Sequence, residues 1–147
     1  MRKTALISFT LVSLAACNNP ANKAGNKQDA PKFPKSGTII AQAGMPVTED
    51  SLNHFMFSVK VIADSNVSNG IYDVDAEMGP NFATSQITLP KGAEDATPVI
   101  RKGALPYTYI IGFKMANDTT FNDLYEVSSD RKATRMRYLK SYTFESK

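Results

Sequence analysis

Apolar and polar residues alternate along most of the chain beyond residue 38, as they do in β-strands that bury one face and expose the other. The clearest stretch is Asn53–Ala63, where every second residue is apolar. Its apolar face holds Phe55, Phe57, Val59 and Val61. In Ile71–Met78, acidic residues alternate in the same way with residues that favour burial. Both stretches are therefore predicted to be half-buried strands.

Glycine, proline, asparagine and aspartate divide this region into about eight such stretches, at the spacing typical of a sandwich or barrel. The predicted strands are Thr38–Ala41, Asn53–Ala63, Ile71–Met78, Phe82–Leu89, Pro98–Arg101, Tyr107–Met115, Phe121–Ser128 and Thr134–Phe144. No apolar repeat of helical period continues beyond one turn, although the loop Thr48–Leu52 has room for a single turn capped by Thr48. We therefore predict an all-β fold, a single antiparallel β-sandwich or barrel-like domain.

The predicted core is made of apolar side chains from three of these strands, because one face of each must be excluded from water. It includes Phe55, Phe57, Val59, Val61, Ile110, Tyr138 and Phe144. In the last strand, Tyr138 is predicted to share the buried face with Met136, while Arg135 and Arg137 point to solvent.

The first seventeen residues follow a different pattern. Arg2 and Lys3 precede a short apolar stretch, which ends in the run Leu14-Ala15-Ala16-Cys17 with the only cysteine of the chain. A positive start, an apolar segment and small residues before a cut form a secretory signal peptide. About twelve residues of helix reach ~18 Å, short of the ~30 Å hydrocarbon core, so a permanent spanning helix is not expected.

The run ending at Cys17 resembles the lipobox of bacterial lipoproteins. In that family the cysteine receives a diacylglycerol, the peptide is cut just before it, and the new amine is acylated. The resemblance implies that Cys17 is the lipid attachment site and that this anchor holds the protein at a membrane of the bacterial cell envelope. Asn18 follows, where an aspartate retains enteric lipoproteins in the inner membrane, so the resemblance favours the outer membrane.

Three segments are predicted along the chain. They are a signal peptide over residues 1–16, the acylated cysteine and a flexible tether over 17–37, and the β domain over 38–147. Residues 18–37 are rich in Asn, Lys, Pro and Gly, with Phe33 as the only large apolar residue. Such a composition buries too little apolar surface to offset the entropy lost on ordering.

Charge and cysteine content exclude two classes of function. The net charge is +3, but much of the positive charge lies in the signal peptide and tether, and residues 38–147 hold more acidic than basic side chains. A nucleic-acid-binding domain concentrates basic charge on its folded part, so no nucleic-acid partner is expected. With Cys17 acylated, the domain has no thiol for a disulfide or for a thiolate metal site.

One predicted strand face carries three carboxylates whose oxygens would suit Ca²⁺. These weak metal candidates are Asp73, Asp75 and Glu77. Alternate residues of a strand lie ~6.8 Å apart, whereas calcium ligands crowd at about 2.3–2.6 Å around the ion. A solvated acidic face, paired across strands with Lys60 or with Arg135 and Arg137, is the alternative. No metal and no cofactor are expected.

His54 is the only histidine. A Ser-His-Asp triad would need it together with Asp50 or Asp64 and a serine such as Ser58. No serine lies in a G-x-S-x-G elbow, and the chain has no phosphate-binding or dinucleotide motif. The sequence therefore predicts no enzyme, and a small hydrolase using His54 is the least favoured alternative.

Basic residues cluster near the C-terminus, within residues 131–140. Arg131, Lys132, Arg135 and Arg137 form a candidate patch for an anionic ligand such as a lipid or polysaccharide. The alternative is a solvated strand face.

These patterns together predict a membrane-anchored envelope lipoprotein that acts as a non-enzymatic binding or adaptor module. Its expected partner is an envelope protein or polysaccharide, and such a module would show an exposed apolar patch or a concave aromatic surface. The alternative is a structural envelope component that assembles through sheet edges, with Pro98–Arg101 and Thr38–Ala41 as candidate edge strands.

Overall fold

The computed structural model describes residues 32–48, 52, 54–130 and 132–144, which form eight strands in two antiparallel sheets of four. Within these ranges no strand of one sheet pairs with a strand of the other, so the fold is a β-sandwich and not a closed barrel. The prediction of an all-β antiparallel domain of about eight strands is confirmed. The predicted signal peptide, Cys17 and the tether as far as residue 31 lie outside the described residues.

Each sheet is a meander in which every strand pairs with the one before it. The first sheet contains β1 (Ile39–Pro46), β2 (Met56–Ala63), β3 (Ile71–Met78) and β4 (Asn81–Thr88). The second contains β5 (Thr97–Lys102), β6 (Thr108–Lys114), β7 (Asn122–Ser129) and β8 (Thr134–Tyr138). A 3-10 turn at Val67–Asn69 precedes β3 and ends at Gly70, whose φ of 73° is left-handed. β1 lies beside β5 and β4 beside β8, so the sheets face each other.

The core fills the space between the two sheets. Phe57, Val59 and Val61 on β2 are fully buried, as their alternation predicts. The Phe57 ring stacks on Tyr109 of β6 with centroids 5.3 Å apart, a contact that joins the two sheets. Phe55 is partly buried against this core.

β1 is longer than predicted. The sequence predicts a strand over Thr38–Ala41 and a loop through Pro46, whereas β1 continues to Pro46. The Val47 amide donates to the Phe55 carbonyl at 2.8 Å, so the odd-numbered residues in this part of β1 bond to β2. Pro46 therefore faces the open edge, where its missing N–H removes no hydrogen bond from the sheet.

A β-bulge in β7 breaks the alternation of inward and outward residues. Ile111 pairs with Tyr125 while Gly112 pairs with Asp123, so Leu124 is an extra residue in this strand. Leu124 and Val127 are both fully buried, and they lie three positions apart in β7. Simple alternation does not produce this spacing.

Ile110 is buried on the face of β6 that points away from the core, between Arg101 of β5 and Glu126 of β7. Phe121 covers the neighbouring Gly112, where a Cβ atom would lie 2.7 Å from the ring. The Arg101 guanidinium in turn lies 4.5 Å from the Phe121 ring centroid. Ile110 is therefore buried, as predicted, but it lies on the outer face of β6 and not between the two sheets, because β6 is buried on both faces.

The prediction that Tyr138 lies in the core is wrong, since its side chain is 52% exposed. Tyr138 pairs with Tyr125 and meets it edge to face with ring centroids 5.1 Å apart. It is the last residue of β8, an edge strand, so half of its surface remains open to solvent.

β8 ends at Tyr138, and the predicted strand continuation to Phe144 is not formed. Tyr142 and Phe144 pack instead on Phe113, with ring centroids 5.3 Å and 6.0 Å away. The Tyr142 hydroxyl donates to the Asp123 carbonyl at 2.9 Å. The segment after β8 therefore covers the core without belonging to a sheet.

Residues 32–37, predicted as the end of the tether, contact the domain. Lys32 Nζ lies 2.8 Å from Asp95 Oδ1, and Phe33 packs partly buried against the core. The Gly37 amide donates to the Ala63 carbonyl at 2.8 Å. The folded unit therefore begins before the predicted boundary at residue 38.

Candidate functional site

The two ends of the sandwich differ in their connections. The near end is where residues 32–38 lead into β1. The far end carries the connections β1–β2 (47–55), β3–β4 (79–80), β5–β6 (103–107) and β7–β8 (130–133). Contacts between these connections confirm the assignment, since the Ser129 amide donates to the Tyr107 carbonyl at 3.0 Å and the Thr48 amide to the Tyr107 hydroxyl at 3.3 Å.

Large apolar side chains are exposed mainly at the far end. Among the described residues, six large hydrophobic side chains are exposed, and four of them lie in far-end connections or within two residues of one. These four are Leu52 (90% exposed), Leu105 (66%), Phe82 (61%) and Met56 (48%). Exposed apolar groups that gather in one region mark interaction surfaces. The far end is therefore the candidate functional site.

The β5–β6 connection holds Leu105 at its tip in a fixed conformation. The Gly103 amide donates to the Thr108 carbonyl at 2.8 Å, and the Thr108 hydroxyl donates to the Pro106 carbonyl at 3.1 Å. Tyr107 adopts a left-handed φ of 48°, which costs a residue other than glycine on the order of 1–3 kcal/mol. The surrounding hydrogen bonds maintain this conformation, so the loop presents Leu105 in a defined direction.

Tyr107 also joins this loop to the β1–β2 connection, because its hydroxyl lies beside both the amide and the hydroxyl of Thr48. An open cleft of about 450 Å³ lies between the two connections. It is lined by Met45, Pro46, Thr48, Lys102, Ala104, Leu105, Pro106 and Tyr107. Most of these side chains are apolar, and Lys102 supplies a positive charge at the rim.

His54 lies exposed in the β1–β2 connection, with a φ of 51°. Ser58 is four residues farther along the chain, within β2. Asp64 follows the opposite end of β2, where its carboxylate accepts a hydrogen bond from the Asn66 amide at 2.8 Å. The structure therefore does not assemble a triad from His54, Ser58 and Asp64, and Asp50 lies outside the described residues.

The acidic row on β3 lies on the outer face of the first sheet. Its members are Asp73, Asp75 and Glu77, and the alternating residues Tyr72, Val74, Ala76 and Met78 are buried, as predicted. Asp73 accepts a hydrogen bond from the Gln86 side-chain amide at 3.2 Å. In the part of the chain that the structure describes, no three His, Cys, Asp or Glu side chains are grouped so that they could hold a metal ion.

The basic patch predicted near the C-terminus is matched by carboxylates on its own sheet. The ion pairs of this face are Arg135–Asp130 (2.6 Å), Arg137–Glu126 (3.1 Å) and Arg101–Asp123 (2.8 Å). The prediction that Arg135 and Arg137 pair with the acidic row is therefore wrong. Lys132 is exposed in the β7–β8 connection, and Arg131 lies outside the described residues.

Asp130 also holds the β7–β8 connection together. Its carboxylate accepts hydrogen bonds from the Lys132 and Ala133 amides at 3.1 Å and 2.9 Å. The hydrogen bond from Arg135, followed by those from the two amides, lowers the pKa of Asp130 to about 2. This carboxylate therefore stabilises the loop in its charged form.

No protein-family model, curated protein sequence or solved structure matches this chain. None of the helical segments in the described ranges is long and apolar enough to cross a membrane.

Leu105 and Tyr107 are not evident as site residues in the sequence. The run Gly103-Ala104-Leu105-Pro106 does place a large apolar residue among turn formers, which is a local sign of an exposed apolar side chain. Leu105 and Thr48 line the same cleft, however, only because β1 lies beside β5. The sequence does not predict that β1 and β5 are adjacent.

Proposed function

We propose that this protein is an envelope lipoprotein, anchored through Cys17, whose domain is a non-enzymatic binding module for another envelope protein. The observation that carries the proposal is the position of the exposed apolar side chains. Four of the six exposed large apolar side chains lie at the far end, whereas the chain enters β1 at the near end.

This separation suits a module that is held by its N-terminus and binds a partner at its other end. About fourteen residues separate Cys17 from Lys32, and a chain of that length spans at most ~50 Å. An eight-residue strand is ~26 Å long, so a near end that lies toward the membrane places the far-end loops well away from it. We place the anchor in the outer membrane, because Asn18 follows the cysteine.

The chemistry of the cleft favours a protein partner over a polysaccharide. Leu105 and Met45 offer aliphatic and thioether groups, which gain free energy when a partner's apolar side chains cover them. A polysaccharide presents mainly hydroxyl groups, which gain little from covering these aliphatic and thioether groups. The partner is therefore expected to insert one or two apolar side chains between the β1–β2 and β5–β6 connections.

The binding proposal is tested by photo-crosslinking in intact cells. A photoreactive amino acid at Leu105 should give discrete crosslinked products, while the same group at Asn117, an exposed near-end position, should not. Purified wild-type protein should compete for the Leu105 products, and a Leu105→Asp variant should compete poorly. Equal crosslinking from both positions, or equal competition by the variant, would contradict the proposal.

The anchor is tested separately by metabolic labelling with an alkyne analogue of palmitate. Wild-type protein should be labelled and should sediment with outer membranes, whereas Cys17→Ser should remain unlabelled. Labelling of both forms to the same extent would exclude Cys17 as the acylation site.

A further inference from the structure

The edge strands of the two sheets differ in how they are protected from pairing with another chain. Natural edge strands are protected by prolines, charged side chains, bulges or short length. Among the four edge strands in the described residues, β1 has a register shift between Ile39 and Ala41 and ends at Pro46. β5 carries Pro98 and Arg101, and β8 has five residues, two of them arginine.

β4 has none of these protective features. It is eight residues long, with the sequence NFATSQIT, and it contains no proline and no charged residue. It pairs with β3 along its whole length without a register shift. Thr84, Ser85 and Gln86 are all exposed although they alternate between the two faces, so the middle of this edge is open.

The direction of the hydrogen-bonding groups of β4 follows from a contact at its end. The Leu89 amide donates to the Gly70 carbonyl at 2.9 Å, and this pair continues the register between β4 and β3. Because antiparallel pairs alternate between bonded and non-bonded, the odd-numbered residues of β4 bond to β3.

Phe82, Thr84 and Gln86 therefore direct their backbone N–H and C=O groups away from β3. These residues are spaced two apart, so their free N–H and C=O groups match the hydrogen-bonding pattern of an additional antiparallel strand. A main-chain partner at this edge would continue the first sheet by one strand, as in peptide recognition by β-augmentation.

The outer face beside this edge carries three carboxylates and one lysine, since Lys60 of β2 lies opposite Asp75 of β3. In the register of β3 and β4, Asp75 lies opposite Thr84, and Asp73 lies opposite Gln86. The ion pairs among the described residues do not include Asp73, Asp75 or Glu77. On the outer face of the second sheet, by contrast, carboxylates of β7 are paired with arginines.

We propose that β4 accepts an extended segment of a partner protein as a fifth strand of the first sheet, and that this segment carries lysine or arginine at alternate positions. A strand added at β4 lies ~5 Å from it and ~10 Å from β3. Basic side chains on its outer face extend over the short side chain of Thr84 toward Asp75. The backbone groups of β4 thus supply the pairing, and the acidic row selects the charge.

A second copy of this chain is a less suitable occupant. Two β4 strands related by a two-fold axis would run antiparallel, which places the near end of one copy beside the far end of the other. If both copies were anchored at Cys17 in one membrane, the segment before residue 32 would have to run ~26 Å farther in one copy than in the other; this point alone rests on the proposed anchor. Pairing also brings two acidic rows into one sheet, and each copy adds three carboxylates against the single lysine Lys60.

The test uses the full chain in detergent and two synthetic peptides of equal length, TKVKTKV and TEVETEV. The basic peptide should bind in a fluorescence anisotropy titration and slow amide hydrogen exchange in residues 81–88. The acidic peptide should do neither. Equal binding of the two peptides, or binding without protection of residues 81–88, would overturn the proposal.

Variants separate the two parts of the recognition. Thr84→Pro removes an N–H that points away from β3 and leaves the hydrogen bonds to β3 intact, so it should abolish the protection of residues 81–88 by the basic peptide. Thr84→Lys, which adds a positive charge to the edge, should weaken binding of the basic peptide, and it serves as the test if the proline variant does not fold. Asp73→Asn combined with Asp75→Asn should raise Kd about 3- to 10-fold. Glu126→Gln, which removes a carboxylate from the other sheet, should leave Kd unchanged.

Two further outcomes would overturn the proposal. One is an unchanged affinity in both Thr84 variants. The other is self-association of the full chain that Thr84→Pro abolishes, which would identify a second copy as the occupant. Neither result would alter crosslinking at Leu105 or labelling at Cys17, so failure of this proposal is distinguishable from failure of the proposed function.

Discussion

Replacing Phe57 with alanine tests whether contact between the two sheets stabilises the sandwich. The Phe57 side chain is fully buried on β2 and stacks on Tyr109 of β6 at 5.3 Å. Truncation of a buried phenylalanine costs about 3–5 kcal/mol, because transfer free energy is lost and a cavity remains. The aromatic pair contributes about 0.5–1.5 kcal/mol beyond its buried area, so we expect a value in the upper part of that range.

A loss of about 4 kcal/mol is a large part of the 5–15 kcal/mol that stabilises a typical domain. It should lower Tm by roughly 10–20 °C for a folded unit of this size. Urea denaturation followed by circular dichroism measures the free energy of unfolding directly. Phe82→Ala is the matched control, because it removes the same atoms from a side chain that is 61% exposed, and it should cost less than about 1 kcal/mol.

Two results would refute this reasoning. A loss below about 1 kcal/mol for Phe57→Ala would place the ring outside the core. An equal loss for Phe82→Ala would mean that burial between the sheets does not distinguish the two positions.

Three further predictions concern the outer faces and the loops. Gly112→Ala should destabilise the fold by about 1–3 kcal/mol in urea denaturation, because its Cβ would clash with the Asn122 backbone carbonyl and with the Phe121 ring; an unchanged free energy of unfolding would contradict this packing. Asp130 has its pKa lowered to about 2, so its stabilising contribution is present above pH ~4 and is lost as pH falls toward 2. Asp130→Asn should therefore lower Tm at pH 7 but not below pH 2, and equal Tm values at pH 7 would argue against this role. Asp75→Asn should leave Tm unchanged with and without millimolar calcium, whereas a calcium-dependent rise lost in the variant would reveal a metal site.

Local patterns in the sequence predicted the class of the fold and most of its strands. Residues two apart share a face, so the alternation around Phe57 and along β3 shows which side chains must leave water. The acidic row could be placed on the outer face for the same reason, since the residues between its members need the core. Turn formers such as Asn69 and Gly70 marked where strands begin and end.

The neighbours of each strand depended on tertiary structure. β1 continues to Pro46 because β2 supplies its hydrogen bonds, and Tyr138 stays exposed because β8 is the last strand of its sheet. The bulge at Leu124 altered the alternation in β7. Leu105 and Thr48, more than fifty residues apart, meet at one cleft because β1 lies beside β5. Alternation records only whether a side chain faces inward, whereas pairing between distant strands decides what lies next to it, and both candidate surfaces arise from that pairing.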